Sequence, residues 1–412
     1  MRLMFYRPSS THFLPEAAIP FQTGVPVPSA SSLKTLNAAH WLVGNPGNMI
    51  HRMAMVQTLE FDRHHSASLN LLKLARSLGV QEAARHVNDN FDAAMLTFSN
   101  IVNPTADEGE LADVLEHVTI PIYAAGVGIQ NAFEPDLKNL QPTVAKLFSV
   151  LNEKAKVFGV RGPKTKRWLN DAGIDAPTAI GCPSMFVYPR NIFALRPPQR
   201  MDRIMSAGHM GAVNLRPGGN GRGRKLIQGF QTGMTGQPEL AYVFQGEARN
   251  YAAVEANRFA YNEATSKLDT PTIQTEIEKI SGGLISPFST FYSFNDVGSW
   301  RQACAGYDVF VGDRIHGAVA AMQAGIPALV IYHDDRVQEL TSYHGIPRCS
   351  LDEFAQIGVQ AAIKKYLTQE VFSEFRKRYV AVLRKFSATW VKNGLNLAIS
   401  TEINDVLSRV EA

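Results

Sequence analysis

Short apolar segments, each followed by one amphipathic segment of helical spacing, recur along most of this chain, and that alternation constrains its fold more than any other feature. Ala93–Phe98, Ile122–Val127, Lys156–Val160 and Thr178–Ile180 read as strands, with Asp107–His117, Val144–Lys154 and Lys164–Ala172 as helices between them. Strands joined by single helices make right-handed crossovers and a mainly parallel sheet. Between Pro189 and Arg203 the rhythm breaks into Pro- and Arg-rich sequence, which predicts a linker between domains. A second round follows. Its strands are Ala212–Leu215, Leu240–Phe244, Leu284–Ser286, Asp308–Val311 and Ala328–Ile331, and its helices are Ser299–Ala305, Ile315–Ala324 and one from Val337. The length of 412 residues agrees, because one core organises roughly 100–200 residues. The expected fold is α/β: two Rossmann-like doubly wound domains facing a cleft, residues 1–190 and 200–368, with helices from residues 369–412 packing back on the first. The Pro- and Ser-rich opening to Ser32 is expected to wrap a surface. His40–Val43 is expected to run as a strand into the turn Gly44–Asn48, with a helix over Met49–Leu59. Thr232–Gly283 shows no legible pattern.

Composition narrows the function. Forty-one basic against thirty-seven acidic residues leave a net charge of +4, too small and too dispersed to require nucleic acid. Mild basicity suits anionic substrates and is compatible with peripheral contact at an anionic membrane face, although no Lys/Arg-rich amphipathic segment would carry that contact. Cys182, Cys304 and Cys349 are odd in number and far apart, so they form neither a disulfide framework nor a zinc motif and fit a reducing compartment. The N-terminus lacks the apolar stretch of a secretory signal, and no later run approaches ~18 apolar residues. The expected location is the cytoplasm, at most against the inner membrane face. Along the chain no His, Cys or Asp set has metal-ligand spacing, so neither a metal nor another cofactor is expected.

Ligands of open parallel sheets bind beyond the carboxyl ends of the strands, which directs attention to the residues after each strand. In Val309–Pro327 an apolar strand ends at Gly312 and a small-residue helix runs to Gly325. Arg314 and His316 therefore stand at a helix N-terminus, where free backbone N–H groups and the dipole favour an anion. Arginine adds a fork suited to carboxylate or phosphate, and histidine a proton exchangeable near neutrality. Asp313 as a helix cap, Arg314 in an ion pair and His316 as a core histidine form the alternative. A second turn, Arg216–Lys225, combines four glycines with basic residues, so Gly218 and Gly219 could admit a phosphate to the backbone; a solvated basic loop has the same composition. Arg216 is placed at a strand end. In the first domain, Gly44–Asn48 and Gly126–Gln130 join glycine to amide side chains. They make Asn45, Asn48, Gly128 and Gln130 candidates for hydrogen-bonding a polyhydroxylated acceptor, though glycine serves plain tight turns equally. His333-Asp334-Asp335-Arg336 either adds contacts or caps the next helix.

At these residues the sequence resembles the polysaccharide pyruvyl transferase family. The resemblance rests on Asn45–Asn48, Gly126–Gln130, Val160-Arg161-Gly162-Pro163, and above all Gly312-Asp313-Arg314-Ile315-His316-Gly317 with Gly325-Ile326-Pro327, across roughly residues 40 to 350. It implies a fold similar to two-domain GT-B glycosyltransferases. It further implies phosphoenolpyruvate as donor and a sugar diol of an exopolysaccharide precursor, carried on lipid, as acceptor. Arg314 and His316 match the family's Arg and His, His316 as an imidazolium acid. Arg216 matches the arginine after the second domain's first strand, with Gly312, Gly317, Gly218 and Gly219 beside the donor. Many members have Gly-Asp where this chain has Gly47-Asn48, which removes a carboxylate. A sugar-nucleotide-dependent glycosyltransferase and a non-catalytic polysaccharide-assembly protein remain the competing readings.

Overall fold

The first strand of the fold lies in the segment expected to wrap a surface: Leu3–Tyr6 (β1) is fully buried and pairs in parallel with Ala67–Leu69 (β2) and Ala93–Thr97 (β3). The computed structural model describes residues 1–6, 45–256, 261–262 and 264–411. The expected strand His40–Val43, Gly44 and residues 7–32 of the opening segment lie outside the described residues, but Leu3–Tyr6 belongs to a sheet and not to a surface wrap. Ile122–Val127 (β4), Ala155–Val160 (β5) and Pro177–Ala179 (β6) complete a six-stranded parallel sheet of order β2-β1-β3-β4-β5-β6. Its central strands β1, β3 and β4 are buried throughout, as strands covered on both faces are.

The second sheet contains Arg203–Ser206 (β7), Glu239–Val243 (β8), Tyr261–Asn262 (β9), Lys267–Leu268 (β10), Thr290–Tyr292 (β11), Val309–Gly312 (β12), Ala328–Tyr332 (β13) and Arg348–Ser350 (β14). Its order is β14-β13-β12-β7-β8-β11-β10-β9, parallel except where β10 pairs antiparallel with β11 and β9. Read from β11 to β14, the six parallel strands have the doubly wound order 3-2-1-4-5-6, and the chain reverses direction between β7 and β12. The fold is thus α/β, with two Rossmann-like units.

Two expected strands are corrected. Ala212–Leu215 is one turn of helix: Leu215 is buried while Val213 is exposed, and the strand is the Ile204-Met205 segment immediately upstream. Leu284–Ser286 precedes the true strand, Thr290–Tyr292. The expected linker is also more structured than its composition suggests. It contains the short helix Pro189–Phe193, Arg190 Nε meets Asp405 Oδ2 at 2.7 Å, and Arg203 already opens β7.

The units meet along a buried polar seam. Glu339 accepts from Thr165 N and Thr165 Oγ1, both at 2.7 Å, so a carboxylate from the second unit satisfies the start of the helix Pro163–Asp171 in the first. His344 Nε2 accepts from Cys182 N at 3.0 Å, and Gln323 Nε2 donates to Ser184 O at 2.7 Å. A Cβ on Gly162 would stand 2.7 Å from Glu339 Cγ, so glycine is what lets the carboxylate reach its donors. The helices Gln369–Lys392 and Ser400–Glu411 return to the first unit: Tyr379 Oη donates to Met185 O, and Tyr123 Oη to Asn393 O. Glu339→Ala is expected to cost about 2–5 kcal/mol, since it strands the Thr165 donors in the seam. A thermal melt against wild type checks this, and an unchanged midpoint would contradict it.

Candidate active site

The strand order puts the ends of β7 and β12 side by side, and the residues that follow them build the site. Asp313 N and Arg314 N both donate to Ala207 O, at 3.0 and 3.2 Å. A Cβ on Gly312 would lie 2.3 Å from Ala207 O, and one on Gly317 2.8 Å from Phe310 Cζ. These two glycines therefore serve close packing of the turn.

From this turn springs the helix Ile315–Gln323, every residue of it buried. Asp313 does not cap it; its carboxylate accepts from His209 Nδ1 at 2.9 Å. Arg314 Nε donates to Gly208 O at 3.2 Å, and its Nη2 lies 3.7 Å from Glu247 Oε2. His316, in the first helical turn, is 9% exposed, and its Nε2 has no hydrogen-bond partner. Its ring stacks on His51 of the first unit, with centroids 5.7 Å apart.

The first unit contributes Arg161, directly after β5. It is 2% exposed, donates through Nη1 to Asn100 Oδ1 at 2.7 Å, and leaves Nε and Nη2 unpartnered. Asn100 in turn donates to Gln130 Oε1, and a Cβ on Gly128 would stand 2.7 Å from Arg161 Cδ. Gly128 and Gln130, expected to hold an acceptor, thus seat and orient this arginine. Arg336 approaches Asp334 through Nη2 at 3.7 Å and leaves its Nε unpartnered. Burial lowers Arg161 to about 10, so it stays cationic at neutral pH. Burial, followed by His51, Arg161, Arg336 and Arg314, drives His316 well below the usual histidine range. In the free protein this favours the neutral imidazole of His316. The result is a buried cationic cluster whose unused donors call for an anion.

The remaining candidates separate. Asn45 Oδ1 accepts from Gly47 N at 2.9 Å and caps the helix Pro46–Thr58. Asn48 is half-buried in that helix's first turn, and a Cβ on Gly47 would collide with Gln245 of the second unit. Arg216 is exposed at the end of the Ala212–Leu215 turn; the strand-end position it was expected to hold belongs to Gly208-His209. Gly218 adopts φ +74° in open space, while Gly219 is required because a Cβ would meet Val213 O at 2.2 Å. The cationic face of this loop is instead Arg222 and Lys225, which line a cleft cavity of about 650 Å³ with Asn131, Tyr332, His333 and Asp334.

Arg161, Arg336, His51 and His209 are site residues whose roles sequence reasoning missed. Arg161 and Arg336 stood in motifs already singled out, and each lies just beyond a strand. Two sets of metal-ligand-type side chains also converge in space, His51/Cys182/His316 and His209/Asp313/His333. Spacing along the chain could not display them, because each set is drawn from segments far apart in the sequence.

No curated protein matches the sequence. Among solved structures the chain is similar to Anabaena HepE in complex with UDP and glucose, at 11% identity and a TM-score of 0.46, over 99% of this chain and 100% of that one. It is similar to an α,α-trehalose-phosphate synthase (UDP-forming) from Burkholderia vietnamiensis at 13% identity and a TM-score of 0.44, over 87% and 83% of the two chains. For the UDP-GlcNAc 2-epimerase from Methanocaldococcus jannaschii the values are 10% and 0.43, over 76% and 84%. The family model for polysaccharide pyruvyl transferase matches residues 94–335, more than half of the chain and the whole run from β3 through the Arg314/His316 turn, and the chain belongs to that family.

Proposed function

We propose that this protein transfers the pyruvyl group of phosphoenolpyruvate to two hydroxyls of a saccharide in a surface-polysaccharide precursor, forming a ketal and releasing inorganic phosphate. The observation that carries this reading is the set of guanidinium groups of Arg161, Arg314 and Arg336 around one buried histidine, with donor atoms left unpaired. Phosphoenolpyruvate presents a carboxylate and a phosphate on one small carbon frame, and planar forks match both.

His316 is neutral until the donor arrives. A phosphate ester brings a charge of about −1.5 to −2 at neutral pH, and the carboxylate adds another, which reverses the local balance that opposed protonation. The imidazolium then protonates the methylene carbon, and a sugar hydroxyl adds to the adjacent carbon. The imidazole, having given up its proton, takes the one that the hydroxyl loses. The C–O bond to phosphate breaks, and the second hydroxyl closes the ketal as its proton passes to the departing phosphate. The arginines hold the negative charge in place throughout. A lipid-linked acceptor met at the inner face of the membrane, and a cytoplasmic location, accompany this reading; no helix among the described residues is long and apolar enough to cross a membrane.

The test is a direct one. Purified protein is incubated with phosphoenolpyruvate and a panel of lipid-linked oligosaccharides, following phosphate release and the product's mass. Acceptor-dependent phosphate release with the mass gain of one pyruvyl ketal is expected. Consumption of a uridine or guanosine diphosphate sugar, with phosphoenolpyruvate untouched, would replace this reading by glycosyl transfer.

A further inference from the structure

Three ligand-type side chains that the proposed transfer does not use converge at the switch point of the second sheet. His209 Nδ1 lies 2.9 Å from Asp313 Oδ2, and His333 Nδ1 lies 3.9 Å from the same oxygen. One ligand atom from each of the three falls within 4.8 Å of the others. The two rings stand at 86° to one another with centroids 5.1 Å apart, so they flank the carboxylate from different directions. The Asp313 side chain is 0% exposed and that of His333 7%. Yet Asp313 Oδ1 and both ring nitrogens of His333 have no hydrogen-bond partner.

Buried polar atoms are almost always partnered, and each orphan costs stability. A neutral His333 carries one N–H and one lone pair, so its free nitrogen and Asp313 Oδ1 are two buried lone-pair sites that no donor meets, a deficit that a cation fills. The spacings fit a cation that displaces the His209 Nδ1 proton: 2.9 and 3.9 Å bracket the roughly 3.3 Å ligand-to-ligand edge of a tetrahedron with bonds of about 2.0–2.1 Å. Two imidazoles and one carboxylate are the donor set of borderline transition metals, not of calcium or magnesium, which take oxygen ligands. The other cluster differs. His51 Nε2 is engaged by Phe98 O, His51 Nδ1 faces Cys182 Sγ at 3.3 Å, and that sulfur also meets Ser184 Oγ at 3.0 Å. Protons alone satisfy His51 and Cys182, and the one unpartnered atom this cluster leaves is His316 Nε2, the group the proposed transfer uses.

We propose that His209, Asp313 and His333 bind one divalent transition-metal cation of the zinc class. His333 lines the cleft cavity of about 650 Å³, which supplies a route for the ion and a fourth coordination position for water or a substrate oxygen. Asp313, Asp334 and Glu247 offset the charge that Arg222 and Arg314 place nearby. This site stands whether or not phosphoenolpyruvate is the donor.

The full chain, stripped with EDTA and dialysed, is titrated with Co²⁺ and then Zn²⁺ while visible absorption and thermal midpoint are followed. One equivalent is expected to bind, with ligand-field bands of a four-coordinate cobalt, no thiolate charge-transfer band, displacement by zinc and a raised midpoint. His333→Ala and His209→Gln are expected to weaken binding by more than the ~10- to 100-fold that loss of an outer-shell partner costs, with Cys182→Ser binding as wild type does. Two replacements at separate strand ends guard against a single misfolded variant. The proposal is overturned by failure of folded wild type to bind at micromolar cobalt. It is equally overturned by a thiolate band that disappears in Cys182→Ser, or by undiminished binding in folded His333→Ala and His209→Gln.

Discussion

Replacing His316 with glutamine is expected to lower kcat for pyruvyl transfer by about 10²–10⁴-fold, the usual share of one positioned acid–base group, and to change KM for phosphoenolpyruvate far less. Glutamine keeps size and hydrogen bonding but carries no exchangeable proton. The sharper signature is in pH. In the free protein, burial and then His51, Arg161, Arg336 and Arg314 hold His316 well below 6.5, so it is unprotonated over the neutral range. Donor binding adds negative charge among those same groups and raises it. Binding of phosphoenolpyruvate by wild type should therefore take up a proton, measured by calorimetry in buffers of different ionisation enthalpy, and binding by His316→Gln should not. As kcat reports the bound state and kcat/KM the free one, the fall of kcat on the alkaline side should begin at higher pH than that of kcat/KM. Equal proton uptake in the two proteins would remove His316 from the role of acid.

What the sequence made legible, and what it hid, follows from the distance over which each feature is determined. Arg314 and His316 could be placed because strand, glycine and small-residue helix follow one another within a dozen positions, and the helix start lies where the local pattern puts it. Arg216 could not, because Val213 and Leu215 alternate with polar neighbours in one turn of helix just as they would in a strand. The true strand, Arg203–Ser206, is only four residues long and follows Pro-rich sequence. His209 consequently went unremarked, although it occupies the strand-end position. Arg161 was visible in its motif, but its role depends on β5 ending opposite the helix Asp335–His344 of the other unit. Nothing in local periodicity encodes that encounter. The His209/Asp313/His333 convergence depends likewise on β7, β12 and β13 being neighbours, a property of strand order that no spacing along the chain reveals.

Arg161 is where stability and function should part most visibly. Its guanidinium is buried, bonded to Asn100 by one nitrogen, and unpartnered at Nε and Nη2. An incompletely paired buried charge is a cost to the free protein, and well-packed apolar replacements of such groups are often neutral or stabilising, by about 1–4 kcal/mol. Arg161→Met, with a side chain that can still pack on Gly128, should accordingly melt at or above the wild-type midpoint in the absence of ligand. The bound state should show the opposite. Removing one partner of a buried charge pair costs about 2–5 kcal/mol of binding, some 30- to 5,000-fold in affinity. Saturation by phosphoenolpyruvate stabilises a protein in proportion to the logarithm of ligand concentration over Kd. At a concentration that raises the wild-type midpoint by several degrees, the Arg161→Met midpoint should hardly move. Arg161→Lys retains the charge but not the fork and should fall between the two. A loss of stability in ligand-free Arg161→Met, with the phosphoenolpyruvate shift intact, would mean that this arginine belongs to the frame of the cleft and that the donor is held elsewhere.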